Sequence, residues 1–259
     1  QTYGEPFHPE KLQKKDPHTY VAYMRHTKKL SAPTINKNQA ALRKYLEMLQ
    51  RKGLWSYGIN LPDVKAQYMP VAPKWLQPSE VMAILHAIEQ EENEFLRARD
   101  RCMCYFELYR GIRIGESMNL EINDVVMTPG KQRIIIRSGK GGKYAEVDIS
   151  DSRKLKGAIQ EWIEVRAKAK HASSPYFFIS FRSGKVSYRS VMRMIERIRE
   201  RSHVDFTTHQ LRHTFVREYL KISKDPRLTK EAARHSDFNT TLIYTQPSQA
   251  EINEFYRGI

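Results

Sequence analysis

Four short segments carry residue types suited to phosphate chemistry. In His209-Gln210-Leu211-Arg212-His213, on a stretch with helical periodicity over 207–222, His209 and Arg212 stand three apart and share a face. A guanidinium binds non-bridging phosphate oxygens, and an imidazole beside it can donate a hydrogen bond or move a proton. The bland reading is an exposed polar face. His209 and His213 also have the four-residue spacing of zinc helices, but the zincin glutamate is missing and Cys102 and Cys104 lack knuckle spacing, so no metal is expected. Gly111-Ile112-Arg113-Ile114-Gly115-Glu116 reads as a tight turn that aims Arg113 off the core, with Glu116 opening a helix whose dipole favours a carboxylate. Ser138-Gly139-Lys140-Gly141-Gly142-Lys143 puts Lys140 on a Gly-rich hairpin, placed to donate to a leaving oxygen unless it is only a solvated tip. Finally His235 and, nine residues on, Tyr244 add an imidazole and a phenol.

The elements that must position these groups are mainly helical. Helices are expected over 79–91, 94–109, 152–170, 187–202, 207–222 and 228–234, with a short one after Asn239. Ser79 is read as the cap of the first. Strands over 123–128, 133–138 and 144–149, joined by turn sequences, make a small three-stranded antiparallel sheet. The expected fold is α+β, mainly helical with one small sheet.

The chain has 259 residues, 44 Lys and Arg against 29 Asp and Glu, a net charge of +15 and a pI near 9.7. With 40% hydrophobic and 28% charged residues the usage is globular, and the charge points to a polyanionic partner. No apolar run approaches the roughly 18 residues a membrane helix needs. The first residues have no signal-peptide pattern, so no membrane and a cytoplasmic, nucleoid-associated location are expected. The absence of an initiator Met leaves a truncated N-terminus open.

Pro62, Pro70, Pro73 and Pro78 mark a linker. The chain is therefore read as a helical part over 1–64, a linker over 65–74 and a larger part over 75–259, which the resemblance described below makes the DNA core-binding and catalytic domains. Residues 1–74 hold 13 Lys and Arg against 5 Asp and Glu, the denser positive footprint. Helices are expected over 17–30 and 32–52, the second capped by Ser31 and closed by Gly53. Its Asn36, Lys37, Asn38, Arg43 and Lys44 are candidate DNA contacts, since Asn pairs bidentately with adenine and Lys or Arg with guanine. A solvated basic face is the competing reading. Arg189, Arg193 and Arg197, four apart, are a second candidate DNA face, and Lys143 a further contact.

In order and spacing the set resembles the tyrosine recombinase (phage integrase) family, in a compact form like Xer proteins and transposon resolvases. The first Arg box stands here as GIRIGE with Arg113, and the hairpin Lys as GKGGK with Lys140. The third box is HQLRHTF with His209 and Arg212, and the last is RHSDFNTTLIY with His235 and Tyr244. APTINKNQAALRKYLEML resembles the core-binding helix and PKWLQPSEV the domain junction. Two departures stand out. Arg234 replaces the small residue before the last-box His, which would alter that turn or add a phosphate contact. Gly115 replaces a frequent Ser or Thr. The N-terminal part is one helix shorter than in fuller members.

The resemblance implies site-specific recombination of double-stranded DNA without metal, nucleotide or other cofactor, by a homo-tetramer on two paired sites, with the two domains clamping the duplex. Arg113 and Arg212 would clamp the scissile phosphate, Tyr244 would form a 3′-phosphotyrosyl link, and His209 would accept its proton. Lys140 would protonate the 5′ oxygen and His235 would bond the phosphate. Tyr256 is a rival nucleophile without the upstream His spacing. The tail over 245–259 has Ile252, Phe255 and Ile259 at helical offsets and is expected to dock on a neighbouring subunit or on its own domain. The competing functions are type IB topoisomerase-like relaxation, a non-catalytic DNA-binding protein and a metal-dependent nuclease. Integration, excision and dimer or cointegrate resolution share one chemistry, and the lack of a visible arm-binding domain leans toward a resolvase.

Overall fold

A computed structural model describes residues 8–61, 64, 74–137, 144–235, 237–245, 253, 256 and 257. The chain divides into two compact units, 1–70 and 71–259. The cut falls in the stretch read as a linker, most of which (65–73) lies outside the described residues.

In the first unit, α1 (Asp16–Ala22) widens into a π-helical turn over Tyr23–Thr27 and ends at Lys29, which takes a left-handed backbone. The expected single helix over 17–30 is therefore broken in type. Next, α2 (Ala32–Arg51) starts behind Ser31, with Pro33 in its first turn where the missing N–H costs nothing. The Ser31 hydroxyl meets Thr34 Oγ1 at 2.9 Å and makes no backbone cap. Apolar side chains at helical spacing bury one face: Ile35 joins Val21, Met24 and Leu61, while Leu46 and Leu49 close on Trp55.

The second unit is built around α4 (Glu94–Arg110), reached from α3 (Pro78–Glu89). The cap of α3 is Gln77 with Glu80, not Ser79: the Gln77 N–H donates to Glu80 Oε2 at 2.7 Å. Asn93 caps α4, and Gly111 ends it with φ +54. A Cβ on Gly111 would run into the Phe215 ring, so backbone sign and close approach both demand glycine there. After the short α5 (Ile114–Ser117) come β1 (Val125–Val126), β2 (Arg133–Ile136) and β3 (Ala145–Asp148), antiparallel in that order, with Ile134 facing Val125 on one side and Val147 on the other. Ile134, Ile136 and Val147 bury one face with the period of two that a half-covered sheet requires.

The remaining helices are α6 (Arg153–Ala167), α7 (Tyr188–Ser202), α8 (Thr208–Ser223), α9 (Pro226–Ala233) and α10 (Asn239–Leu242). Phe106 of α4, Trp162 of α6, Phe177 and Phe178 form the aromatic centre, with Trp162 Nε1 donating to the Phe177 carbonyl at 3.0 Å. Burial of four such rings stabilises the unit by several kcal/mol, at roughly 1.5–3 each. A smaller cluster of Phe215, Val216, Leu220, Ala233 and Tyr244 lies between α8, α9 and the segment after α10. Cys102 and Cys104 are free and buried in α4. No described helix is long and apolar enough to cross a membrane.

Candidate active site

Three elements deliver the phosphate-type residues to one place. The α4–α5 turn carries Arg113, α8 carries Arg212, and the end of α9 carries Arg234 and His235. Gly111 lets the chain reverse after α4, and the Arg113 N–H donates to Glu116 Oε2 at 2.9 Å, starting α5. The Arg113 side chain then bonds Glu116 Oε1 at 2.7 Å and the Arg234 carbonyl at 3.1 Å.

The Thr207–Gln210 capping box starts α8. Its buried Arg212 donates to the Gly111 and Ala233 carbonyls, tying the α4–α5 turn to the end of α9. Arg234, left-handed at φ +54, folds inward to the Gly111 carbonyl at 2.9 Å and Glu116 Oε2 at 3.1 Å.

Arg113 and Arg234 both bond the Glu116 carboxylate, and Arg212 lies close by. Burial, then the charges of Arg113 and Arg234, pull Arg212 down to about 9. Burial would raise the Glu116 carboxyl, but Arg234 and the Arg113 donors outweigh it and hold it below the usual value. Glu107, fully enclosed and opposed only by the Arg212 charge and a backbone donor, is pushed well above the carboxylate range by burial.

Tyr244 is 1% exposed, its ring seated in the small cluster and its hydroxyl bonded to His213 Nδ1. Arg217 donates to the Tyr244 carbonyl at 2.8 Å. Burial raises the phenol to about 12 despite the Arg212 charge. On either side of it stand neutral imidazoles. Burial, His209 and Arg212 bring His213 down to about 4. Burial, Arg212 and Arg113 bring His235 down to about 3. His235 Nδ1 pairs with the buried Thr241 hydroxyl at 2.8 Å; with Thr241 as donor, Nε2 carries the ring proton and is free to donate it.

Residues 74–251 match the family model described as the phage integrase family. The chain belongs to that family. It is a tyrosine recombinase, similar over 245 residues at 30% identity to the TnP I resolvase of Bacillus thuringiensis, with 93% of this chain and 82% of that one covered. Tyrosine recombinase XerC of Vibrio vulnificus (strain YJ016) is 27% identical over 233 residues, covering 88% of this chain and 70% of its own. Among solved structures, the post-cleavage complex of XerH site-specific recombinase with palindromic difH substrate matches with a TM-score of 0.73 at 23% identity. That alignment covers 95% of this chain and 72% of that one, and it shows a shared fold.

In this recombinase Arg113, Arg212, His235 and Tyr244 converge with His213 and Arg234. His209 does not reach the phenol. It lies exposed one turn before His213, ring centroids 6.3 Å apart, so the imidazole on the Tyr244 hydroxyl is His213, which the sequence raised only as a zinc ligand. Among the described residues no cluster could hold a metal. Lys140 and Lys143 lie outside the described residues, as does most of the tail over 245–259. Tyr256 is 70% exposed.

Of the DNA candidates, Lys37, Arg43 and Lys44 are exposed on α2, and Arg189 and Arg193 on α7, while Asn38 is half-buried. Two others are spent within the fold. Asn36 exchanges bonds with the Val64 backbone, giving to its carbonyl at 3.0 Å and taking from its N–H at 3.2 Å, so its amide is not open to adenine. Arg197 pairs with Asp100 at 2.7 Å and Glu91 at 3.2 Å, which removes it from the α7 face. Thr241 carried no readable signal, because a hydroxyl in a polar run declares its partner only when the chain folds.

Proposed function

We propose that this chain is a site-specific recombinase that cuts and rejoins duplex DNA through a covalent bond to Tyr244, consuming neither metal ion nor nucleotide. One observation carries the reading: Arg113, Arg212 and Arg234 share a single ionised carboxylate, Glu116, beside the Tyr244–His213–His235 cluster. A phosphodiester there meets surplus positive charge, and charge growing on its non-bridging oxygens is answered by Arg113 and Arg212.

Tyr244 Oη attacks phosphorus, the bond to the 5′ oxygen breaks, and a 3′-phosphotyrosyl bond keeps the energy for rejoining. His213 Nδ1 is the ring nitrogen beside the phenol and takes its proton. His235, its Nδ1 fixed by Thr241, presents Nε2 to the phosphate. Lys140, assigned from the hairpin motif, protonates the 5′ oxygen. Because Tyr244 is enclosed, it swings out of its seat with the segment after α10 before it meets DNA.

Solved relatives support DNA as the partner: XerH is described bound to difH substrate and the Tn1549 transposon integrase in complex with circular intermediate DNA. The resolvase name of the Bacillus thuringiensis relative supports resolution as the biological outcome. Four subunits on two paired sites is the assembly that the family resemblance implies.

The test uses a duplex site selected by binding from a random pool, then nicked beside the cleavage position so that cleavage is trapped. The expected product is a protein–DNA adduct that survives SDS, forms in EDTA and is lost in Tyr244→Phe. Bound DNA that yields no adduct refutes catalysis, and an adduct persisting in Tyr244→Phe moves the nucleophile elsewhere.

A further inference from the structure

Arg234 stands where the family resemblance leads one to expect a small residue, and its side chain is committed to the site rather than to solvent. It occupies the residue after α9 with φ +54, a conformation glycine takes without strain and a branched chain resists. A long side chain at such a point needs compensation, and this one has three acceptors. Its Nη1 donates to the Arg110 carbonyl at 3.3 Å, and its Nη2 to the Gly111 carbonyl and Glu116 Oε2.

Each acceptor is shared with a phosphate-facing arginine, or neighbours one that is. The Gly111 carbonyl also takes a bond from Arg212. The Glu116 carboxylate is split, Oε1 to Arg113 and Oε2 to Arg234. The Arg234 carbonyl receives Arg113 Nη2. One residue thus fixes both arginines: it braces the turn that presents Arg113 and the carbonyl that orients Arg212. At 14% side-chain exposure it faces inward, toward these groups.

We infer that Arg234 is a positioning residue of the phosphate site, bracketing the α4–α5 turn against the end of α9 so that Arg113 and Arg212 engage a phosphodiester together. The inference rests on the recombinase reading above, and it makes the unusual residue a built-in part of catalysis rather than a tolerated departure. Geometry is what it supplies. A guanidinium displaced by a fraction of an ångström still attracts DNA but no longer meets the transition state.

The test is Arg234→Gly, which relieves the left-handed backbone while removing the bracket. The full chain is assayed by gel shift on the selected duplex and by single-turnover adduct formation on its nicked form. The expected result is affinity within about twofold of wild type and an adduct rate lower by about tenfold or more, since misplacement acts on the chemical step. Guanidinium ion at millimolar concentration restores part of the rate to Arg234→Gly and none to Arg212→Ala. Should Arg234→Gly fail to melt cooperatively, Arg234→Lys decides: it keeps the charge without the fork, and the same split between binding and rate is expected.

A rate within about twofold of wild type in the folded variant means that Arg234 only ends a helix, which overturns the inference. Affinity falling in step with rate makes it a direct phosphate contact, which also overturns it. A wild-type lane without adduct condemns the recombinase reading itself, so the two failures are told apart.

Discussion

His213 bonds the Tyr244 hydroxyl, and burial, then the charges of His209 and Arg212, hold it near 4 instead of 6.5. In the unfolded chain it takes up a proton near 6.5, and in the fold only near 4, so acid favours unfolding. The stability it contributes is complete above pH 6.5 and is lost as pH falls toward 4. Between pH 7.5 and 4.5 the loss works out at about 2.5 kcal/mol, or about 2 kcal/mol once its partial exposure is allowed for.

The perturbation is His213→Gln, which keeps an acceptor for the Tyr244 hydroxyl and does not titrate. Urea unfolding would be followed by tryptophan fluorescence, with Trp55→Phe in both proteins so that only Trp75 and Trp162 of the second unit report. Other groups that folding shifts, His235 downward and Glu107 and Asp100 upward by burial, are present in both chains and largely cancel. The wild type is expected to lose about 2 kcal/mol more than His213→Gln on acidification. Parallel losses in the two proteins would show that His213 is not held neutral against the phenol, and the assignment of His213 as its proton acceptor would fall with that.

Three further outcomes follow from local geometry. Gly111→Ala forces a side chain into the Phe215 ring at a left-handed backbone, and a loss of about 2 kcal/mol in urea unfolding is expected; a loss below about 0.5 kcal/mol would contradict the close approach. On α2, Lys44→Ala is expected to weaken binding of all duplexes alike and reduce the salt slope by about one. Asn36→Ala is expected to lower the stability of the first unit without changing base preference; a shift in preferred bases would return Asn36 to the DNA.

Much of this recombinase was legible in the chain itself, for a chemical reason. Arg113, Arg212, His235 and Tyr244 stand in an order and spacing that few other functions require, and no other side chain supplies a forked cation or a phenolic nucleophile. The helices and the small sheet were legible because apolar periodicity repeats over many residues, so a local error at a cap such as Ser79 does not move the element. The break of α1 into a π-turn was not legible, since it adds one residue to a turn without altering the pattern of apolar positions.

Only the tertiary structure decided which polar side chains gather at the candidate site and which hold the fold. His209 and His213 differ by one helical turn, and what separates them is that α8 buries the second against the segment after α10. Asn36 and Arg197 look like their exposed neighbours until Val64, Asp100 and Glu91 arrive from distant parts of the sequence. Arg234 read as a departure at a turn, with two possible consequences. Its placement on Gly111 and Glu116, more than a hundred residues away in the chain, exists only once α9 packs beside the α4–α5 turn. Residue chemistry is local and can be read locally, whereas a hydrogen-bond partner is set by chain packing over long separations and appears only in the fold.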